Sequence, residues 1–198
     1  MDGRSVAFSG DVSIEEDAFA MVGQTVERFG TIDILVNSAG LIDGGGLEKM
    51  PLGRWREVID TNLFGTVHTC KAVLPRFKSQ SCGDIVNISS TAGRRAAALM
   101  GAYSTSKFGL TGFTEGLRQE LGEYGVRVSL IEPGATETGA ASGVTDEAMR
   151  EAMEQHVSRE GVMQPCDIAD AIMFLICLPR RANVSQMLIR PTDDTKSF

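Results

Sequence analysis

The chain has 198 residues, 42% of them hydrophobic and 23% charged, and a formal net charge of -7. That length allows one domain with a substantial core. The acidic balance opposes a nucleic-acid partner, which needs clustered Lys and Arg, and none is expected; Arg94-Arg95 and Arg180-Arg181 are too short for that and read as solvated or local.

No apolar run reaches the ~18 residues of a membrane span. The opening MDGRSVAF lacks the regions of a signal peptide. Cys70, Cys82, Cys166 and Cys177 show no CxxC spacing and no metal-ligand grouping with His68 or His156. A reduced cytoplasmic protein with no membrane partner and no metal is expected.

Short apolar runs alternate with amphipathic stretches, the pattern of an α/β fold with a mostly parallel sheet. Ser5–Phe8 reads as a strand. Ser13 and Glu16 have capping-box spacing and open a helix to about Phe29, with Ala18, Met21, Val22, Val26 and Phe29 on one face. Ile34–Asn37 is the next strand and runs into Asn37-Ser38-Ala39-Gly40. The Gly44–Gly46 run lacks a following Lys-Ser/Thr and reads as a flexible loop beside a substrate.

A long helix follows from about Leu52 to Phe77, then a strand at Ile85–Ser89. A second long helix covers Ala102–Tyr124, and strand Val126–Ile131 ends at Pro133-Gly134. Residues 135–162 are polar and Met-containing, a flap with a helix. Asp167–Leu178 is helical after Pro165, and Gln186–Ile189 is a last strand. No repeat or linker divides residues 1–198, so a single Rossmann-like, doubly wound domain is expected. In such sheets ligands sit beyond the carboxyl ends of the strands, where Asn37–Gly40, Ser89–Gly93 and Pro133–Thr138 all fall.

Tyr103 and Lys107 are four residues apart, on one face of a helix, and Ser90 ends a buried strand. A phenol has a reference pKa near 10 and exchanges protons poorly at neutral pH. An ammonium at ~4 Å supplies about 4 kcal/mol at an effective dielectric near 20. Lys107 is therefore expected to lower the Tyr103 pKa and make it a general acid or base, while Ser90 holds a substrate carbonyl. Tyr-x-x-x-Lys alone is weak, and a surface helix pair is the bland explanation.

The flanking motifs make the pattern specific. Asn37-Ser38-Ala39-Gly40, Asp60-Thr61-Asn62, Ile85-Val86-Asn87-Ile88-Ser89-Ser90, Tyr103-Ser-Thr-Ser-Lys107 and Pro133-Gly134 with Thr136 and Thr138 occur in the order of the short-chain dehydrogenase/reductase family, which the chain resembles over essentially its whole length. The resemblance implies a catalytic set of Asn62, Ser90, Tyr103 and Lys107, with Asn62 holding a water that links Lys107 to solvent. It implies cofactor contacts from Asp11, Val12, Asn37, Ala39, Gly40, Ile88, Tyr103, Lys107, Pro133, Gly134, Thr136 and Thr138. Asp11 also reads as a turn former, and Asn62 as a mid-helix polar residue.

The run from Leu178 to Asp193 resembles the NADP-linked subgroup of clavulanic acid and hydroxy-acid dehydrogenases. It implies NADP, with NAD the alternative, a small carbonyl or alcohol substrate, and a homo-oligomer, tetramer or dimer. Val58, Ile59, Val67, Phe113 and Leu117 are compatible contact residues that core burial explains equally well. Arg94 would meet a substrate carboxylate if it points inward. His68 reads as a packing or subunit-contact residue and His156 as a flap residue.

The family's opening strand, Thr-Gly-x-x-x-Gly-x-Gly loop, helix and second strand have no counterpart before Asp11. Thr111-Gly112 and Thr138-Gly139 follow no first strand and are rejected as substitutes. A sheet lacking its first two strands is expected, with Ser5–Phe8 orphaned and Ile34–Asn37 at an apolar edge. Such a chain is expected to bind dinucleotide poorly, or to fold with unusual pairing or a partner. The alternative function is a truncated, catalytically impaired family member acting as a subunit or interaction protein.

Overall fold

The computed structural model describes residues 5–158 and 161–195. Helix α1 (Glu15–Phe29) leads to strand β1 (Ile34–Asn37). Helix α2 (Leu52–Ile59), a π-helical segment (Asp60–Phe64) and α3 (Gly65–Gln80) follow one another without a break, and a turn at Ser81 leads to β2 (Gly83–Ile88). Then come α4 (Gly101–Leu121), β3 (Val126–Pro133), α5 (Glu147–Val157), α6 (Pro165–Ile176) and β4 (Gln186–Ile189).

The four strands are parallel and ordered β1-β2-β3-β4. In β2 and β3 nearly every residue is buried, as expected for a parallel sheet covered on both faces. Alternation along the strands sorts the side chains. Ile85 and Val128 face Val73 and Phe77 of α3 and Leu117 and Leu121 of α4. Val86 and Ile131 face Leu175, Ile168 and Ile172 of α6 on the other side. Burying Val58 and Leu117 completely or nearly so makes these two of the expected contact residues core residues, and Phe113 packs on the α3–α4 cluster.

Two expectations fail at the start of the chain. Ser5–Phe8 forms no strand, because a strand needs a ladder and no described segment pairs with it; Val6 is 43% exposed. Along β1, pairing among the described residues is with β2 alone, and Ile34 and Val36 are 43% and 39% exposed. The Ser13–Glu16 capping box is also absent. The Ser13 hydroxyl bonds Asp11 Oδ1 at 2.7 Å, and Ile14 occupies the cap position without a side-chain bond.

The segment expected as a flap, residues 135–162, leaves the sheet edge and returns to it, with 159 and 160 outside the described residues. A parallel bridge between Thr136 and Met163 closes the neck, with Glu137 N donating to Met163 O at 2.8 Å. No helix among the described residues is long and apolar enough to cross a membrane.

Candidate active site

A cavity of about 580 Å³ opens at the carboxyl edge of the sheet. Gly40 after β1, Ile88–Thr91 at the end of β2 and Pro133–Thr136 at the end of β3 line one side. Tyr103 and Lys107 enter from the first turns of α4. Met153, His156 and Val157 of α5, with Ile168 and Ile172 of α6, form the opposite wall.

The helix reaches the strand ends because Gly93 has no side chain. A Cβ there would lie 2.7 Å from Ser89 Oγ and 2.9 Å from the Lys107 carbonyl. Ser90 starts the short turn Thr91–Gly93 by accepting from Ala92 N at 3.1 Å.

Tyr103 and Lys107 are both buried, at 9% and 5% exposure. Lys107 Nζ donates to the Ile88 carbonyl at 2.9 Å and lies 5.7 Å from the centre of the Tyr103 ring. Burial pushes the Tyr103 phenol above its ordinary value, opposed by a hydrogen bond with Ser90. Burial also pulls the Lys107 ammonium down to about 8. The expected lowering of the phenol by Lys107 is therefore not present in the resting site. The amine, ionising near 8, loses its charge before the phenol titrates, and desolvation wins.

Asn62 sits in the π-helical segment, 1% exposed. Its Oδ1 accepts from Leu41 N at 2.7 Å, and its Nδ2 donates to Leu41 O at 2.9 Å and to Ser106 Oγ at 3.0 Å. The amide thus clamps the loop after β1 onto α4. The wide turn of a π segment often marks a functional position. Asn37 lies behind the cavity wall, holding Asn87 Oδ1 at 2.9 Å and accepting from Thr69 at 2.7 Å.

Gly40, Ile88, Pro133, Gly134, Thr136 and Thr138 line the cavity with Tyr103 and Lys107; Asn37, Ala39 and Asn62 do not. Asp11 and Val12 are away from it. Asp11 Oδ1 accepts from Ser13 N at 2.9 Å and from Ser13 Oγ at 2.7 Å, the bonds of a turn. Val12 packs on Gly65, and its carbonyl contacts His68 Nδ1 at 3.0 Å, so His68 is a packing residue.

Arg94 does not turn toward the cavity. Its guanidinium grips buried Glu132 with two bonds of 2.8 and 2.5 Å, and Gln186 with a third. Sequence reasoning also missed Ile42, Met100, Met153, Val157, Ile168 and Ile172 in the cavity wall. Apolar residues carry no chemical signature, and their place follows only from packing.

The parallel sheet, its covering helices and the strand-end cavity define a Rossmann-like domain. The chain belongs to the short-chain dehydrogenase family, whose model (described as short chain dehydrogenase) matches residues 2–156, and it is an oxidoreductase of that type. It is 38% identical over 181 residues to an uncharacterized oxidoreductase of Staphylococcus saprophyticus, covering 91% of this chain and 73% of that protein. Among solved structures, it resembles the closed form of a serine dehydrogenase complexed with NADP+, at TM-score 0.85 and 30% identity over 96% of this chain and 76% of that one. It also resembles an alcohol dehydrogenase from the archaeon Thermococcus sibiricus complexed with 5-hydroxy-NADP, at TM-score 0.81 and 26% identity, covering 96% and 75%.

Proposed function

We propose that the protein moves hydride between NADP and a small carbonyl or alcohol, with Tyr103 exchanging the accompanying proton. The observation that carries this reading is the convergence of Ser90, Tyr103 and Lys107 on one cavity at the carboxyl edge of the sheet.

The residues present fit a nicotinamide cofactor. A Cβ at Gly40 would lie 3.3 Å from Asn62 Oδ1 and 3.8 Å from Lys107 Nζ, so bare backbone faces the amine. Lys107 has three donors, and one of them meets Ile88 O, leaving the others for ligand hydroxyls. Gly40, Ile88, Lys107, Pro133, Gly134, Thr136 and Thr138 would hold the cofactor, with Asn37 and Ala39 shaping the β1 end. Bound NADPH would supply the hydride. The NADP-bound relatives support NADP over NAD.

In the reductive direction Ser90 donates to the substrate oxygen, and Tyr103 Oη gives that oxygen its proton. Raised by burial, the phenol starts protonated, as an acid must. Lys107, cationic below about pH 8, faces the phenolate left behind. The cation over the ring favours the phenolate over its neutral form only while Lys107 keeps its charge. Asn62 keeps the adjoining loop in place.

The likeness to serine dehydrogenase supports a small hydroxy acid, or its keto form, as substrate. With Arg94 committed to Glu132, the imidazole of His156 on the opposite wall is the donor for a carboxylate. Phe64 and Phe108, 48% and 45% exposed on the helices carrying Asn62 and Tyr103, support self-association.

The test is oxidation of NADPH with a panel of small ketones and keto acids by the wild type and Tyr103→Phe. The variant is expected to fold normally and to lose about 10²–10⁴-fold in rate. Undiminished turnover by folded Tyr103→Phe would end this reading.

A further inference from the structure

Asp43 is an acid with no exposed surface, in the loop after β1. Four groups from three segments meet its carboxylate. Arg54 Nε of α2 donates at 2.5 Å, and Gly44 N of its own loop at 2.8 Å. Thr145 N and Oγ1, at the root of α5, donate at 3.0 Å and at 3.1 and 3.2 Å. Arg54 reaches the same root directly, its Nη2 donating to Gly143 O at 2.5 Å.

Burial pushes the Asp43 carboxyl up, and the hydrogen bonds from Arg54, Thr145 and Gly44 more than offset it. A buried charge is retained only with such partners. Beside it, the loop is wedged between two neighbours. A Cβ on Gly44 would fall 2.4 Å from the Leu99 carbonyl and 2.8 Å from Met149 Sδ of α5. Leu99 itself has φ of 67°, and its carbonyl accepts from Gly45 N at 2.7 Å. A non-glycine residue keeps that left-handed backbone only when surrounding contacts over-determine it.

These contacts serve one segment. The excursion bearing α5 is closed at its neck by Thr136 and Met163, and the Asp43–Arg54 pair fastens it again at Gly143 and Thr145. From that root α5 carries Met153, His156 and Val157 to the cavity wall. We infer that Asp43 and Arg54 are positioning residues: they pin the root of α5 to the loop after β1 and so fix the substrate wall of the cavity. Neither residue lines the cavity. Their effect should fall on the carbonyl substrate, whose wall α5 supplies, and spare the cofactor side, whose residues lie at the strand ends and on the sheet side of the Thr136–Met163 neck apart from Gly40 and Thr138. The inference rests on the proposed reading of the cavity as a carbonyl site.

The test compares the wild type with Asp43→Asn, Arg54→Lys and Gly44→Ala by two measurements. The first is amide hydrogen exchange of the full chain. Exchange within α5 is expected to speed up at least tenfold in Asp43→Asn, while α4 is unchanged. The second is steady-state kinetics, in which KM for the carbonyl substrate rises about tenfold or more, kcat stays within threefold and NADPH affinity is unchanged. A merely structural defect would lower the active fraction and leave KM alone. Unchanged α5 exchange in folded Asp43→Asn, or carbonyl KM and NADPH affinity weakening together, would overturn the inference. If Asp43→Asn does not fold, Arg54→Lys and Gly44→Ala must show the same α5 exchange, or the inference fails. Faster α5 exchange in a protein that reduces no carbonyl would uphold the positioning pair and overturn the catalytic reading instead.

Discussion

The Lys107 ammonium donates to the Ile88 carbonyl at 2.9 Å, inside a pocket where it keeps 5% of its surface exposed. A helix and a strand end are joined by a cation that would be better solvated elsewhere. Burial of that cation costs stability, which the proposed catalytic role would account for.

Replacing that cation should therefore stabilise the fold. Depression of the Lys107 pKa from 10.5 to about 8 corresponds to roughly 3 kcal/mol. Below about pH 8 the folded chain bears the whole cost. Between 8 and 10.5 it sheds a proton that the unfolded chain keeps, so the cost fades as pH rises. Lys107→Met gives up the bond to Ile88, and a net gain of about 1–3 kcal/mol at pH 7 is expected. Chemical denaturation at pH 7 and pH 10.5 checks it: the gain should be present at the first and absent at the second, and turnover should be lost at both.

The same ionisation sets a pH limb for the reaction. Reductive turnover should decline as pH rises through about 8, where Lys107 becomes neutral and stops holding the Tyr103 phenolate. Lys107→Arg, charged throughout, should move that limb upward in a pH–rate profile. A limb that stays in place in the arginine variant would assign it to another group.

Asn62 should matter to stability as much as to chemistry. Asn62→Ala strands both backbone groups of Leu41 beside a buried site. Leaving buried polar groups unpaired costs about 2–4 kcal/mol here. A thermal melt should fall by roughly 5–15 °C.

Much of this site is legible in the sequence because its signals are local. The four-residue step from Tyr103 to Lys107, the strand-end Ser90, and the strands at Ile34–Asn37 and Gln186–Ile189 all read directly from spacing and pattern. Ser5–Phe8 has the composition of a strand, but strand formation is a property of pairs, and no described partner is present. Arg94 and Glu132 are 38 residues apart, and Asp43 and Thr145 are separated by 102. Contacts of that range leave no periodicity to find. Nor does any pattern mark the π-helical turn at Asn62, or show that burial would override the Lys107 charge at Tyr103.

Thiol reactivity offers a simple check of the packing. Burial pushes the Cys70 thiol up to about 12, against a weaker opposing hydrogen bond from Asn37. Cys82, Cys166 and Cys177 are exposed. Titration of the native protein with a thiol reagent should label these three quickly and Cys70 only after denaturant is added. Rapid labelling of Cys70 would show that the α3–sheet core is looser than described.

Isotope transfer addresses the chemistry itself. The wild type is given a small keto acid and NADPH deuterated at C4 of the nicotinamide, one face at a time, and the product is read by NMR. Deuterium from one face is expected at the new carbinol carbon, with none from the other face. Label that stays on the cofactor while a ketone is consumed, or that arrives from both faces equally, would contradict direct hydride transfer in the cavity between Ser90, Tyr103 and Lys107.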